Sequence, residues 1–126
     1  MLEGAAWEFA EIESMIQAGE KIFGPYQWDR YDMLVMPPSF PYGGMENPRL
    51  SFFTPSIVVG DRSEIHVVPH ELSHAWTGNL VTNATLDDFW LNEGLTMWGE
   101  RRILELIMGE KYTLLQCALG RKYLEE

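Results

Sequence analysis

A pair of histidines around a glutamate constrains the fold of this chain more than any other feature. The sequence reads His70-Glu71-Leu72-Ser73-His74, and residues four apart in an α-helix lie about 40° apart on one face. Two imidazoles arranged in this way can reach one cation at roughly 2.0–2.1 Å, the distance that Zn²⁺ prefers. The segment is therefore predicted to be a helix that presents two metal ligands, and a third ligand has to come from another element.

Glu93 is the candidate third ligand. It stands near the start of a second helical pattern, so a neighbouring helix can bring its carboxylate to the two histidines. Three protein ligands leave the fourth position of a tetrahedral Zn²⁺ for water, which is typical of catalytic rather than structural zinc sites. Glu71 projects about 100° around the helix from His70, which suits a general base beside the metal. The sequence thus predicts a site for one zinc ion with Glu71 as the catalytic base.

Two further motifs carry a family resemblance. The loop Gly43-Gly44-Met45-Glu46-Asn47, followed by the histidine pair and Glu93, resembles the gluzincin zinc aminopeptidases of the leukotriene hydrolase and membrane alanyl aminopeptidase type. The segment from Trp76 to Asn83 is similar to the leukotriene hydrolase branch in particular. The resemblance implies an α+β, thermolysin-like metallopeptidase core, mostly helical with a small sheet. It also implies that residues 1–126 form a single, incomplete catalytic domain.

The resemblance assigns roles to the loop and to a second glutamate. Glu46 would hold the free α-ammonium group of a peptide at a set distance from zinc, so the reaction would remove the N-terminal residue. Gly43 and Gly44 would lend backbone groups to the peptide substrate. The remaining loop residues expected at the substrate site are Met45 and Asn47. Glu100 lies about two helical turns after Glu93, and the matching glutamate in resembling enzymes supports the metal site.

Three alternatives to a complete aminopeptidase stay open. Resembling enzymes carry a catalytic tyrosine and flanking domains beyond this stretch, and Tyr112 and Tyr123 stand in the wrong sequence context to replace that tyrosine. The chain could therefore be a zinc-binding but catalytically incomplete module or a truncated product. Additional epoxide hydrolase activity is specific to the leukotriene hydrolase branch, which tends to have histidine where this chain has Leu95. A thermolysin-like endopeptidase is disfavoured by Glu46.

Charge and cysteine content argue against several classes of partner. The formal net charge of −10 disfavours nucleic acids and anionic membranes, because both require clustered Lys and Arg. No uncharged stretch approaches the length that crosses a bilayer, and glutamates interrupt the N-terminal segment, so no secretory signal is predicted. Cys117 is the only cysteine, so nothing demands an oxidising compartment. We expect a cytoplasmic protein without nucleic-acid or membrane partners, and the sequence leaves the oligomeric state open.

Hydrophobic periodicity predicts the order of the elements. We expect helices over residues 3–23, 63–77, 92–108 and 110–126, a strand over 33–36, a Pro- and Gly-rich loop over 37–48 and an extended stretch over 51–59. Pro69 interrupts the second helix, and a proline inside a helix costs about 3 kcal/mol. That helix must therefore start close to Pro69 or kink just before His70. His66 is interpreted as a structural histidine, because Glu93 already completes the ligand set.

Overall fold

The computed structural model describes residues 2–125, which form five α-helices and a three-stranded sheet. The helices are α1 (Leu2–Glu8), α2 (Ile12–Phe23), α3 (Val67–Ser73), α4 (Phe89–Met108) and α5 (Glu110–Glu125), and the strands are β1 (Asp32–Val35), β2 (Gly44–Met45) and β3 (Leu50–Phe53). The α+β, mostly helical fold with a small sheet is thereby confirmed. None of these helices is both long and apolar enough to cross a bilayer.

The expectation of one helix over residues 3–23 is wrong, because the chain breaks between α1 and α2. The Arg62 guanidinium donates two hydrogen bonds, of 3.1 and 3.0 Å, to the Trp7 carbonyl near the end of α1. Phe9 is buried and packs against Phe53, with 5.7 Å between the ring centroids. These long-range contacts stabilise the junction where α1 ends and the chain changes direction before α2. A 3.6-residue hydrophobic period does not report such contacts.

β3 is the central strand of the sheet. It pairs in parallel with β1 and antiparallel with β2, which pairs through Gly44 opposite Phe53 and Met45 opposite Phe52. The extended stretch expected over residues 51–59 is confirmed as a strand only over residues 51–53. Pro55–Ile57 forms a 3₁₀ turn instead, capped by a 3.3 Å hydrogen bond from the Ser56 amide to the Thr54 hydroxyl. β2 lies inside the predicted loop and forms an edge of the sheet.

The start of α3 shows how the helix accommodates Pro69. The helix begins at Val67, which makes Pro69 its third residue. The first backbone N–H groups of a helix have no intrahelical partner, so a proline there removes no hydrogen bond. The alternative in which the helix starts close to Pro69 is therefore confirmed, whereas the predicted span of 63–77 is too long at both ends. α4 begins three residues earlier than predicted, and the last residue predicted for α5, Glu126, lies outside the described residues.

The crossing of α2, α3 and α4 depends on a glycine. A Cβ atom on Gly99 would lie 2.6 Å from Phe23 Cζ and 2.9 Å from Ser73 Oγ, both closer than real Cβ contacts allow. Gly94, on the same helix, has nothing within 4 Å of its Cβ position. Gly99 therefore lets α4 approach the C-terminal ends of α2 and α3, and so brings Glu93 and Glu100 close to the histidines.

Gly99→Ala is expected to destabilise the fold by about 1–3 kcal/mol, the usual cost of overpacking a core. Gly94→Ala serves as the matched control, because alanine in an open helical position stabilises by up to about 1 kcal/mol. Urea unfolding of both variants measures the difference. Equal and small changes in the free energy of unfolding would contradict the close crossing at Gly99.

Candidate metal centre and active site

His70 of α3, His74 at the C-cap of the same helix and Glu93 of α4 face one another. His70 Nε2 lies 3.2 Å from Glu93 Oε2, and His74 Nε2 lies 3.5 Å from Glu93 Oε1. The three residues offer one donor atom each within 4.8 Å of one another. Two donors bound tetrahedrally to one zinc at about 2.0–2.1 Å stand roughly 3.3 Å apart. The spacing and the chemistry of this donor set therefore fit one zinc ion.

Glu100 lies beside His70, on the side away from Glu93. Its Oε2 is 3.0 Å from His70 Nδ1, and Glu100 is almost fully buried. An ionised carboxylate can only accept, so Nδ1 donates its proton to Glu100, and Nε2, on the Glu93 side of the ring, is the nitrogen left to bind a metal. Burial opposes protonation of His70, but the hydrogen bond that its ring donates to Glu100, together with the charges of the nearby carboxylates, outweighs burial and raises the pKa of this imidazole. Glu100 thus fixes the orientation of His70.

His74 has a different partner that sequence reasoning missed. Its Nδ1 lies 3.0 Å from the Thr77 carbonyl oxygen and 3.2 Å from the Thr96 hydroxyl. Thr96 is fully buried on α4 and also donates a 3.1 Å hydrogen bond to the Thr77 carbonyl. Burial lowers the pKa of His74, which favours the neutral imidazole that a metal ligand requires. The available signal was the spacing of three residues from Glu93 to Thr96, which puts both on one face of α4.

Thr96→Val is expected to weaken zinc binding by roughly 10–100-fold, the usual cost of losing a group that orients a metal ligand. Valine keeps the shape of threonine but cannot hydrogen-bond to His74 or to the Thr77 carbonyl. Thr96→Ser keeps the hydroxyl and should bind zinc almost as tightly as the parent. Competition with a chromophoric chelator gives the dissociation constants. Equal affinities for the two variants would remove Thr96 from the ligand-orienting role.

The side chain of Glu71 extends from α3 towards Gly44 of the edge strand β2. The residue is 7 % exposed, and burial, aided by the charges of Glu46 and Glu93, raises the pKa of its carboxyl to about 7. A Cβ atom on Gly44 would overlap this side chain, so any larger residue there would displace the Glu71 carboxylate. Gly43 is less constrained, because the nearest atom to its Cβ position is Val67 Cγ1 at 3.9 Å. The arrangement gives a desolvated carboxylate suited to accept and return a proton near neutral pH.

The predicted substrate loop lines the same cleft, which has a volume of about 650 Å³. Gly43, Gly44, Met45 and Glu46 contribute to its wall, whereas Asn47 does not. Glu46 offers a carboxylate oxygen within 4.8 Å of donor atoms of Glu71 and His74. The amide nitrogen of Asn47 is buried without a hydrogen-bond partner among the described residues. The structure thus brings Glu46 to the candidate metal centre and leaves Asn47 behind the cleft wall.

The cleft is also lined by residues that were not predicted to take part in its chemistry. They include Tyr42, Phe89 and Met97, together with His66. His66 precedes α3 as its N-cap residue and belongs to none of the donor clusters that could hold a metal among residues 2–125. The side chains of Tyr42, Phe89 and Met97 make the cleft suited to contact an uncharged part of a substrate.

Known proteins match the chain over nearly its whole length. Residues 7–124 match the model of the peptidase family M1 domain. Mouse aminopeptidase B is 54 % identical over 127 aligned positions, which cover 100 % of this chain and 20 % of the relative. Leukotriene A-4 hydrolase of Xenopus laevis is 53 % identical over 125 positions, covering 99 % of this chain and 20 % of the relative.

Solved structures match it equally well. Yeast LTA4 hydrolase in complex with bestatin superimposes with a TM-score of 0.90 at 48 % sequence identity, covering 94 % of this chain and 19 % of that structure. The native yeast enzyme gives a TM-score of 0.88. The chain therefore spans about a fifth of the length of the relatives that it matches.

Proposed function

The chain belongs to peptidase family M1, and on that premise we propose that it forms the core of a zinc-dependent aminopeptidase. The observation that carries the proposal is the convergence of two imidazoles, from α3 and its C-cap residue, and one carboxylate from α4 within 4.8 Å. The similar proteins include aminopeptidases from mouse, rat and human, which supports peptides as the substrate class. Because the chain covers a fifth of those relatives, the activity of the whole protein is part of the proposal, as is the predicted cytoplasmic location.

His70, His74 and Glu93 would hold a single zinc ion. The donor set of two neutral imidazoles and a carboxylate is one that catalytic zinc sites use. Zinc bound there would act as a Lewis acid on the scissile carbonyl and would acidify water at the site. Glu100, which lies 3.0 Å from His70 Nδ1, would hold that ligand in place during turnover.

Glu71 would act as the general base. Its carboxylate would take a proton from the attacking water and return it to the amine that leaves. Burial supports this role, because a carboxyl with a pKa of about 7 exchanges a proton readily near neutral pH. Glycine at position 44 leaves room for this carboxylate at the cleft.

Glu46 would select substrates with a free N-terminus. Its carboxylate lies at the candidate metal centre, close to Glu71 and His74, where it can pair with an α-ammonium group. A peptide anchored in this way presents its first peptide bond to the metal and no other. Gly43, Gly44 and Met45 would contact the same substrate residues through the edge of β2, and Asn47 would support their loop.

Glu46→Ala is expected to lower kcat/KM for an aminoacyl-anilide by about 100-fold or more, because the ammonium loses its ionic partner in the cleft, a loss that costs several kcal/mol where bound substrate excludes water from the pair. Zinc content should not change. Cleavage of the N-acetylated anilide, which is expected to be very slow, should stay as it was. Equal cleavage of free and acetylated anilides by the parent protein would contradict the anchor role.

The second candidate is a zinc-binding module that does not turn over substrate. The donor cluster of His70, His74 and Glu93 supports it as well, because holding one zinc ion requires only these three side chains. Zinc analysis of the purified protein, combined with anilide hydrolysis before and after chelation, separates the two candidates. One bound zinc with chelator-sensitive cleavage supports the aminopeptidase, and one bound zinc without any cleavage supports the module.

A further inference from the structure

Asn79 connects the candidate metal centre directly to the loop that carries Glu46. Its backbone amide donates a 2.9 Å hydrogen bond to the carbonyl of His74. Its side-chain Nδ2 donates a 2.6 Å hydrogen bond to the carbonyl of Glu46. A single residue therefore bonds to a proposed zinc ligand and to the proposed ammonium anchor at the same time.

The turn that contains Asn79 is held rigidly. The Gly78 amide donates to the Val81 carbonyl and the Val81 amide to the Trp76 carbonyl, each at 3.0 Å. The Thr82 hydroxyl adds a 2.6 Å hydrogen bond to the Gly78 carbonyl. Gly78 has a φ of +130°, a conformation that side-chain-bearing residues rarely adopt. Asn79 is thus fixed relative to the end of α3.

The backbone of Glu46, in contrast, is not held by the hydrogen bonds of the sheet. β2 consists only of Gly44–Met45, and its two residue pairs with β3 end before Glu46. The next backbone hydrogen bond along the chain, which the Leu50 amide donates to the Asn47 carbonyl at 3.1 Å, closes the following turn and does not reach α3. Among the described contacts, the hydrogen bond from Asn79 is the one that ties the Glu46 backbone to the metal-binding helix.

We propose that Asn79 is a positioning residue that sets the distance between the Glu46 carboxylate and the metal centre, and thereby restricts cleavage to the first peptide bond. The inference rests on the proposed aminopeptidase function. The distance from the α-nitrogen of a peptide to its first carbonyl carbon is fixed by covalent geometry, so the anchor must stand at one matching distance from the metal. A misplacement of about 1 Å can cost about 100-fold in rate.

Asn79→Asp tests the proposal, because aspartate has the same shape but presents an oxygen to the Glu46 carbonyl in place of the donor. We expect kcat/KM for a free aminoacyl-anilide to fall by roughly 10–100-fold, with zinc affinity unchanged. The preference for free over N-acetylated anilide should fall by a similar factor. Asn79→Ala, which removes the donor without adding charge, should give the same result and replaces Asn79→Asp if that variant does not fold.

Asn83→Asp is the matched control. Asn83 Nδ2 donates a 2.7 Å hydrogen bond to the Thr85 carbonyl in the same connector, so the substitution makes the same chemical change without touching the Glu46 loop. We expect the ratio of free to acetylated anilide cleavage to stay at the parental value. An equal fall of this ratio in both variants would overturn the proposal.

A double-mutant cycle separates positioning from a general structural effect. If Asn79 acts through Glu46, Asn79→Asp should cause no further loss in a Glu46→Ala background. If the fold losses in kcat/KM of the two single variants multiply in the double variant, or if Asn79→Asp loses zinc, the positioning role is overturned and the proposed function stays intact. Parental activity of Glu46→Ala alone would overturn the anchor assignment itself, and the role of Asn79 with it.

Discussion

Glu71→Gln is expected to reduce kcat/KM for aminoacyl-anilides by about 10²–10⁴-fold while the protein keeps its full complement of zinc. Glutamine has the shape of glutamate but cannot take a proton from water, and general base catalysis contributes a factor of that size. Glu71 belongs to α3 but is not among the three donors that face one another around His70, so the metal site should survive the substitution. Zinc analysis and steady-state kinetics on the same sample measure both effects.

Glu64→Gln is the control for this prediction. Glu64 is an exposed glutamate just before α3, so its substitution removes the same charge without changing the cleft. Its kinetics and zinc content should match those of the parent. Near-normal activity of Glu71→Gln would show that another group serves as the base, and loss of zinc would move Glu71 into the ligand set.

His74→Gln is expected to weaken zinc binding by more than the roughly 10–100-fold that loss of a group orienting a ligand costs. The substitution removes an imidazole that is only 1 % exposed. Its Nε2 lies 3.5 Å from Glu93 Oε1 in the donor cluster. The effect on activity should follow the effect on zinc occupancy. Titration against a competing chelator gives the dissociation constant for each protein.

His66→Gln provides the matched histidine control. His66 also lines the cleft but takes no part in the donor clusters found among residues 2–125, so zinc affinity should remain within a few-fold of the parent. The assignment of ligands is wrong if the two variants lose zinc equally, or if His66→Gln loses more. This comparison distinguishes a specific ligand from any histidine near the cleft.

The sequence was most informative where chemistry depends on one helix. The spacing of His70, Glu71 and His74 is a property of helical geometry, and α3 adopts that helix with Pro69 in its first turn. The position of Glu93 near the start of α4 followed from periodicity, and the structure brings its carboxylate to the histidines. Their roles in binding zinc and in catalysis stay predictions.

Several features that depend on contacts between distant segments were not predicted. The break after α1 comes from Arg62, more than fifty residues away, and the orientation of His74 comes from Thr96 on another helix. β2 spans two residues, too few to show a strand period, and Asn79 reaches Glu46 across thirty-three positions. Hydrophobic periodicity reports only what neighbours along the chain share, so these interactions leave no signal in it.

A crystal structure of the zinc-loaded protein, with anomalous diffraction recorded at the zinc absorption edge, tests the central claim most directly. The account predicts one zinc peak bonded to Nε2 of His70, Nε2 of His74 and the Glu93 carboxylate, with the remaining coordination position facing the cleft. A zinc ion on other side chains, or a fourth protein ligand that closes the site, would contradict it.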